Sequence, residues 1–404
     1  MAAAKVDSWE ESTVGDEFYV QLGKRLDAAV NRGELLPCIN NRAVRWGHIQ
    51  VSESVMAPLT KADIRDLRLE DGDILVCEGG EIGRASVWSS ELPEAYFLNT
   101  LHRLRSKGRF EPRLLVAFFE RLAATGEFSA LVGKSSIAHL TKENLQRVRI
   151  LLPAKAEQER MAEALLAVDK LGLGLEQLIA KKQAIKQGMM QQYMTGRVAP
   201  HGCSHLQWQK RPLGQLLLRP PRYGINAAAV PLSLGLSTYI RITDINDSGR
   251  FAPDPKVGVS HPSAANYKLK PGELVLARTG ASVGKAYLYD PRDGELVYAG
   301  FLISVAPDPK LLNPKFFAIY TQTKDYWDWV ARTSVRSGQP GINGREYAQL
   351  LLNLPDIETQ EAIARIFDDV DRDIESLERR LAKVKNIKMG ITQQLLTGRT
   401  HLPG

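Results

Sequence analysis

The sequence predicts an α+β protein: two mixed α/β domains, each followed by a long helix, with the two helices paired as an antiparallel two-helix coiled coil. Three observations predict it. The second half of the chain repeats the first, each half begins with short apolar runs broken by Gly, Pro, Asn and Asp, and each half ends in a single apolar stripe at helical spacing.

Leu152-Pro153-Ala154-Lys155-Ala156-Glu157-Gln158-Glu159 returns as Leu354-Pro355-Asp356-Ile357-Glu358-Thr359-Gln360-Glu361. Gln191-Gln192-Tyr193-Met194-Thr195-Gly196-Arg197 returns as Gln393-Gln394-Leu395-Leu396-Thr397-Gly398-Arg399, again 202 positions on, and Asp169 matches Asp371 between them. Upstream the offset drifts: Trp9 and Val14-Gly15 recur as Trp208 and Leu213-Gly214, and Asp71-Gly72-Asp73-Ile74-Leu75-Val76 as Pro271-Gly272-Glu273-Leu274-Val275-Leu276. An ordered series of this kind is a duplication with loops of unequal length. It divides the chain into a domain at 1–150, a helix at 151–197, a second domain at 198–352 and a second helix at 353–404.

Within each domain Ile74–Cys77, Ala85–Trp88, Leu274–Ala277 and Leu302–Val305 read as buried strands, being short apolar runs rich in branched residues. Pro112–Glu120 and Pro314–Tyr320 read as helices opening on Pro, whose missing N–H costs nothing in the first turn.

The long helices follow the Leu-Pro signal, at 157–194 and 359–396. The later stripe runs Ile363, Phe367, Val370, Ile374, Leu377, Leu381, Val384, Ile387, Ile391 and Leu395. The earlier one runs Met161, Leu165, Val168, Leu171, Leu175, Leu178, Ile185, Met189 and Tyr193, interrupted by Lys182. Gly172 and Gly174 each cost the first helix about 1 kcal/mol, and Gly196 and Gly398 stand where a C-cap belongs. Either each helix packs on its own domain, or the two stripes cover each other; a stripe of this length outruns a small domain. Pairing the helices antiparallel makes a separator roughly 55 Å long, about one and a half turns of B-DNA.

Composition narrows the function class. A net charge of +7 permits a polyanionic partner without requiring one. No apolar run approaches the roughly 18 residues of a membrane span, and the N-terminus does not read as a signal peptide. Cys38, Cys77 and Cys203 form no C-x-x-C pair, which fits a reducing cytoplasm.

No catalytic motif emerges, and no catalytic or metal-ligating residue is assigned. Thr279-Gly280-Ala281-Ser282-Val283-Gly284-Lys285-Ala286 imitates a phosphate loop but has three residues between its glycines and Ala286 where Ser or Thr must hold Mg²⁺. The first copy, Gly79-Gly80-Glu81-Ile82-Gly83-Arg84, has no such Lys. Both copies keep a strand, a Gly-rich turn and one cation, Arg84 or Lys285. That is either an anchor for a DNA phosphate or a hairpin turn with a solvated cation. The seven histidines show no metal spacing.

Polar and cationic residues gather before each turn: Asn40, Asn41, Arg42, Arg45 and Trp46 in the first copy, Tyr239, Arg241, Thr243, Asp244 and Asn246 in the second. Arg and Asn are the side chains that read guanine and adenine edges, and both also serve as structural hydrogen-bonders. Lys134-Ser135 and Arg336-Ser337-Gly338-Gln339, late in each domain, are further loop donors. Gly80, Arg278, Thr279, Gly280 and Ser282 complete the candidate DNA-binding set.

Taken together, these motifs resemble those of the specificity (S) subunits of type I restriction-modification systems, over essentially the whole chain. The resemblance rests on Glu78-Gly79-Gly80-x-x-Gly83-Arg84, Leu152-Pro153…Glu157-Gln158, Gln191-Gln192…Thr195-Gly196, then Tyr239-Ile240-Arg241-Ile242-Thr243-Asp244-Ile245, Ala277-Arg278-Thr279-Gly280, Gln339-Pro340-Gly341-Ile342-Asn343 and Leu354-Pro355…Gln360. It implies two target recognition domains, each reading one half of an interrupted site in double-stranded DNA. The helices would set the spacer and dock two methyltransferase (M) subunits, which restriction (R) subunits join. S-adenosylmethionine would belong to the M subunits, ATP and Mg to the R subunits, and neither to this non-catalytic chain. A type IIB-like system would use the same reader, and a coiled-coil protein-interaction scaffold is the alternative from another class.

Overall fold

The computed structural model describes residues 9–25, 33–128, 139–202, 208–335 and 340–396. The chain divides into two compact units, 1–178 with 377–404, and 179–376, so the division falls inside each long helix.

In the first unit, strands Phe18–Leu22, Leu101–Ser106, Ile74–Cys77 and Ala85–Val87 form an antiparallel sheet in that spatial order. A second sheet sets Glu34–Ile39 between Val55–Leu59, antiparallel, and Tyr96–Phe97, parallel. Ile74–Cys77 is buried along its whole length, with Ile74 and Val76 in one core and Leu75 and Cys77 in the next. That is why the run is continuously apolar rather than alternating. The helix Pro112–Ala124 packs Leu115, Phe119 and Leu122 into the first of these cores.

The second unit repeats the plan. Leu217–Tyr223, Leu302–Pro307, Leu274–Ala277 and Ala286–Leu288 form the first sheet. Ala229–Pro231, Val257–Val259, Ser237–Ile240 and Leu296–Tyr298 form the second, again with one parallel pairing. The predicted strand at 302–305 extends to Pro307, and the predicted helix over Pro314–Tyr320 is found at those bounds.

The recurring Leu-Pro…Gln motif joins each domain to its helix. In the first unit the buried Gln158 donates from Nε2 to the carbonyls of Pro153 (2.8 Å) and Arg109 (3.1 Å), while its Oε1 accepts from the Glu111 N–H (2.8 Å). In the second, Gln360 makes the same three bonds with Pro355 (2.9 Å), Leu311 (3.3 Å) and Asn313 (2.9 Å). Each amide satisfies backbone groups that the chain leaves unpaired where it enters a helix.

The long helices run Lys155–Tyr193 and Ile357–Leu396. In the first unit Lys388 pairs with Asp169 and Lys385 with Glu176; in the second Lys186 pairs with Asp371, Lys182 with Asp373, and Tyr193 meets Phe367 edge-on. In both units one number rises as the other falls, so the helices pair antiparallel, as predicted.

The seam differs from the predicted stripe. Leu171, Leu178 and Ile185 on the first helix and Ile387 on the second are exposed, 56%, 42%, 49% and 44% respectively. The covered row on the first helix is Leu165, Val168, Gly172 and Leu175 in the first unit, and Ile179, Lys182, Lys186, Met189 and Tyr193 in the second. The rest of the predicted stripe is covered; apolar counting is one residue off at Leu171, Leu178, Ile185 and Ile387, and at two of these a lysine with a carboxylate partner, Lys186 or Lys388, takes the seam position. Gly172 lies in this row, where a Cβ would meet Val384 at an ordinary contact distance of 3.9 Å, so crowding does not require a glycine. Gly196 caps the first helix at φ +72°, its N–H donating to Tyr193. Gly398 lies outside the described residues.

Candidate nucleic-acid interface

In the first unit three loops meet past the end of strand Ile74–Cys77. The Gly-rich turn closes on itself, with the Cys77 N–H donating to the Arg84 carbonyl (2.8 Å) and the Gly83 N–H to that of Cys77 (3.1 Å). Gly80 and Gly83 both stand at φ +78°, a conformation that favours glycine. Arg84 reaches back out of the turn: Nη2 donates to the Asn41 carbonyl (2.7 Å) and Nη1 to Glu81 (3.0 Å). Trp46 Nε1 donates to the same Glu81 carboxylate (2.6 Å).

The loop bearing Asn40, Asn41 and Arg42 and the turn bearing Arg45 are thereby tied to the glycines. Asn40 is itself taken up by the fold. Its Oδ1 accepts from the N–H groups of Arg42 (2.9 Å) and Ala43 (3.2 Å), and its Nδ2 donates to the Glu53 carbonyl (3.3 Å). Arg42 is exposed and Arg45 half-exposed, and neither forms a salt bridge among the described residues.

The second unit builds the same corner with other side chains. The Ala277 N–H donates to Lys285 (2.8 Å) and the Gly284 N–H to Ala277 (3.0 Å), with Gly280 and Gly284 at φ +71° and +88°. Lys285 reaches back to Asp247 (2.7 Å) and the Ile245 carbonyl (3.4 Å), holding the Asp247 carboxyl below its usual range. Arg84 and Lys285 thus perform the same structural task, tying a turn to a loop. The phosphate-loop imitation, Thr279–Ala286, is a 3-10 turn over Gly280–Ser282.

Arg241 is committed to the fold through its fork. Nε and Nη2 donate to the two oxygens of buried Asp244 (3.0 and 2.7 Å), which also accepts the Arg241 N–H (2.8 Å) and has Thr243 Oγ1 at 3.4 Å. The Asp244 hydrogen bond pushes the Arg241 pKa up. Arg278 is different. Its guanidinium lies 4.9 Å from the centre of the Tyr223 ring, within cation–π range, and no salt bridge to it is found among the described residues. Beside it Thr279 bridges Gly341, and the Gly280 N–H donates to the Pro340 carbonyl (3.2 Å). The motif Pro340-Gly341-Ile342-Asn343 therefore lines this turn.

Of the predicted residues, Asn40, Asn41, Arg42, Arg45, Gly80 and Arg84 converge in one unit, and Arg241, Thr243, Asp244, Arg278, Thr279, Gly280, Ser282 and Lys285 fall around the equivalent turn of the other. Lys134, Ser135, Arg336, Ser337 and Gln339 lie outside the described residues. The corner also brings in Glu78, Tyr223 and Phe301, which were not among the candidate DNA-binding residues, although Glu78 opens the Glu78-Gly79-Gly80 motif. Phe301 is 57% exposed, and its carbonyl accepts the Arg278 N–H (3.0 Å). The mutual alignment of the two halves was the signal that could have found Glu78, since Glu78 and Arg278 follow matched strands.

Burial pushes the Cys38 thiol up to about 11 and raises Cys77 as well, so both stay protonated at neutral pH. Burial lowers the pKa of His102, whose Nε2 lies 2.8 Å from the Leu140 carbonyl. Among the described residues no three His, Cys, Asp or Glu side chains gather as a metal site, and no helix is long and apolar enough to cross a membrane.

A family model described as the type I restriction modification DNA specificity domain matches residues 7–187 and 236–386. The chain is similar to the type I restriction enzyme EcoBI specificity subunit of Escherichia coli, 24% identical over 91% of this chain and 81% of that one. It is also similar to the MjaVIII specificity subunit of Methanocaldococcus jannaschii, 21% identical over 98% and 94%. In fold it resembles the crystal structure of the S subunit from M. genitalium, with a TM-score of 0.60, 14% identity and 98% of each chain covered. A chain from a structure of a type I R-M system gives 0.56 at 17% identity, over 99% of this chain and 100% of that one.

Proposed function

The chain belongs to the type I restriction-modification DNA specificity family, and from that membership we propose that it supplies DNA sequence recognition to a methyltransferase and nuclease without itself carrying a catalytic centre. Each unit reads one half of a split site in double-stranded DNA. The observation that carries this reading is the doubled corner: one backbone scaffold, built twice, presenting different side chains at matching positions. A scaffold held constant while its surface varies is what two readers of unlike sequences require.

The paired helices set the number of unread base pairs and receive the methyltransferase subunits. Support for the second role comes from the first unit, where Leu171, Leu173, Leu178, Ile387 and Met389 are all at least 42% exposed on the paired helices, an apolar surface suited to a protein partner. S-adenosylmethionine then belongs to the methyltransferase, and ATP and Mg to the restriction subunit.

The test is to co-express the chain with its native methyltransferase in a host free of DNA methylation and to sequence the methylated positions. The expected result is one split, adenine-methylated motif and a stable complex of the two proteins. Recovery of the chain without methyltransferase, and without any methylated motif, would overturn the reading.

A further inference from the structure

Glu78 and Arg278 occupy one and the same node of the repeated scaffold. The Glu78 N–H donates to the Thr100 carbonyl (3.0 Å) and its carbonyl accepts from the Leu140 N–H (2.9 Å). The Arg278 N–H donates to the Phe301 carbonyl (3.0 Å) and its carbonyl accepts from the Ile342 N–H (2.8 Å). Each residue directly follows the central strand and precedes the turn whose glycines share the same left-handed conformations. The backbone at this node is therefore held at both polar atoms in both units, and only the side chain differs.

Neither side chain is used up by the fold. Both are half-buried, and among the described residues no hydrogen bond or salt bridge engages the Glu78 carboxylate or the Arg278 guanidinium. The guanidinium instead lies over the Tyr223 ring, 4.9 Å from its centre, and the Arg278 Nε is buried with no hydrogen-bond partner among the described residues. Arg84, Lys285 and Arg241, by contrast, are bonded inward. A fixed Cα carrying an unspent charge is the arrangement that direct reading of a base needs.

We propose that 78/278 is a shared base-reading position, at which Glu78 selects cytosine in the half-site of the first unit and Arg278 selects guanine in that of the second. This rests on the DNA-reading function above. Guanine offers two acceptors in the major groove, O6 and N7, which match two N–H groups of a guanidinium. Cytosine offers an amino donor with no adjacent acceptor, which suits a carboxylate; adenine places its N7 lone pair beside its amino group and repels one.

The test uses the full chain with its native methyltransferase, in a methylation-free host, reading the methylated motif. Glu78→Gln should move one base pair of one half-site from cytosine toward adenine, whose amino group and N7 match an amide. Arg278→Ala should relax one guanine in the other half-site, losing roughly 5- to 150-fold of discrimination. Arg278→Lys keeps the positive charge and should retain guanine with weaker discrimination, and it separates a reading role from misfolding. An unchanged motif in Glu78→Gln and Arg278→Ala overturns the proposal, as does a change spread over both half-sites. So does an Arg278→Lys complex that assembles and melts like the parent yet shows no preference for guanine. If the unaltered chain directs no split motif at all, the functional reading itself has failed, a result distinct from these.

Discussion

Lys388 Nζ lies 2.7 Å from Asp169 Oδ1 in the first unit, and at the repeat-equivalent positions, 202 residues earlier for the lysine and 202 later for the aspartate, Lys186 Nζ lies 2.6 Å from Asp371 Oδ1 in the second. The duplication has thus produced the same charge pair twice, each joining one long helix to the other. Lys388 also bonds Glu120, and Lys315 joins Asp371 and Asp368 at 2.9 and 3.0 Å. Polar groups inside an otherwise apolar helix seam specify which residues face each other, because any slip leaves a charge without its partner.

Replacing Lys388 by Met should destabilise the first unit by about 1–2 kcal/mol, at the low end for a broken pair because Asp169 and Glu120 remain 41% and 32% exposed. Denaturant unfolding of parent and variant measures it. A variant as stable as its parent would show that the pair contributes nothing to the seam.

The second pair makes stability pH-dependent. Burial alone would raise the Asp371 pKa, but Lys186 and Lys315 outweigh it and lower the value. A carboxyl whose folded pKa lies below its unfolded one, about 3.9, stabilises above that pH and loses its contribution as pH falls through the folded value. Asp371→Asn should therefore cost about 2–4 kcal/mol at pH 7, and the gap from the parent should narrow at pH 3. A gap of constant size would show that the effect is one of packing and not of charge.

The glycines of the first turn separate strain from crowding. A Cβ at Gly80 meets nothing within 4 Å, whereas one at Gly83 lies 2.4 Å from the Phe128 ring. Gly80→Ala should cost about 1–2 kcal/mol from its left-handed backbone alone. Gly83→Ala adds overpacking and should cost about 2–4 kcal/mol. Equal thermal shifts in the two variants would contradict this account.

Neighbouring residues on the first long helix test the seam. Leu178 is 42% exposed and Ile179 is 9% exposed. Leu178→Gln should change stability by no more than about 0.5 kcal/mol, while Ile179→Ala should cost about 2 kcal/mol. The reverse order would restore the stripe predicted from apolar spacing.

If the helices set the spacer, seven residues inserted at matching points in both should add about 10 Å of helix. At 3.4 Å per base pair, the methylated motif should gain about three unread positions with both half-sites unaltered. An unchanged spacer would remove the helices from that role.

Much of this was legible in the residues. The duplication, the apolar strands and the long helices are carried by order, composition and period, which survive without knowledge of what touches what. The Leu-Pro…Gln motif was visible twice, although only its hydrogen bonds explain it: Gln158 and Gln360 join helices whose starts lie 43 residues apart in each unit. The candidate site was legible as a cluster of loops but not as a division of labour. Arg241 and Arg278 look alike in sequence, yet one is bonded to a buried carboxylate, while among the described residues the other's guanidinium meets only the Tyr223 ring.

Sequence alone determined that this chain is one plan built twice, because repetition and hydrophobic period are written in neighbouring residues. Tertiary structure alone decided which row of each helix is covered and which cations are free. A lysine counts as polar until an aspartate 185 or more positions away neutralises it, as Asp371 does for Lys186 and Asp169 for Lys388. Such long-range neutralisation leaves no periodic trace in the chain, and it put Lys186 and Lys388 in the seam where apolar spacing pointed to Ile185 and Ile387.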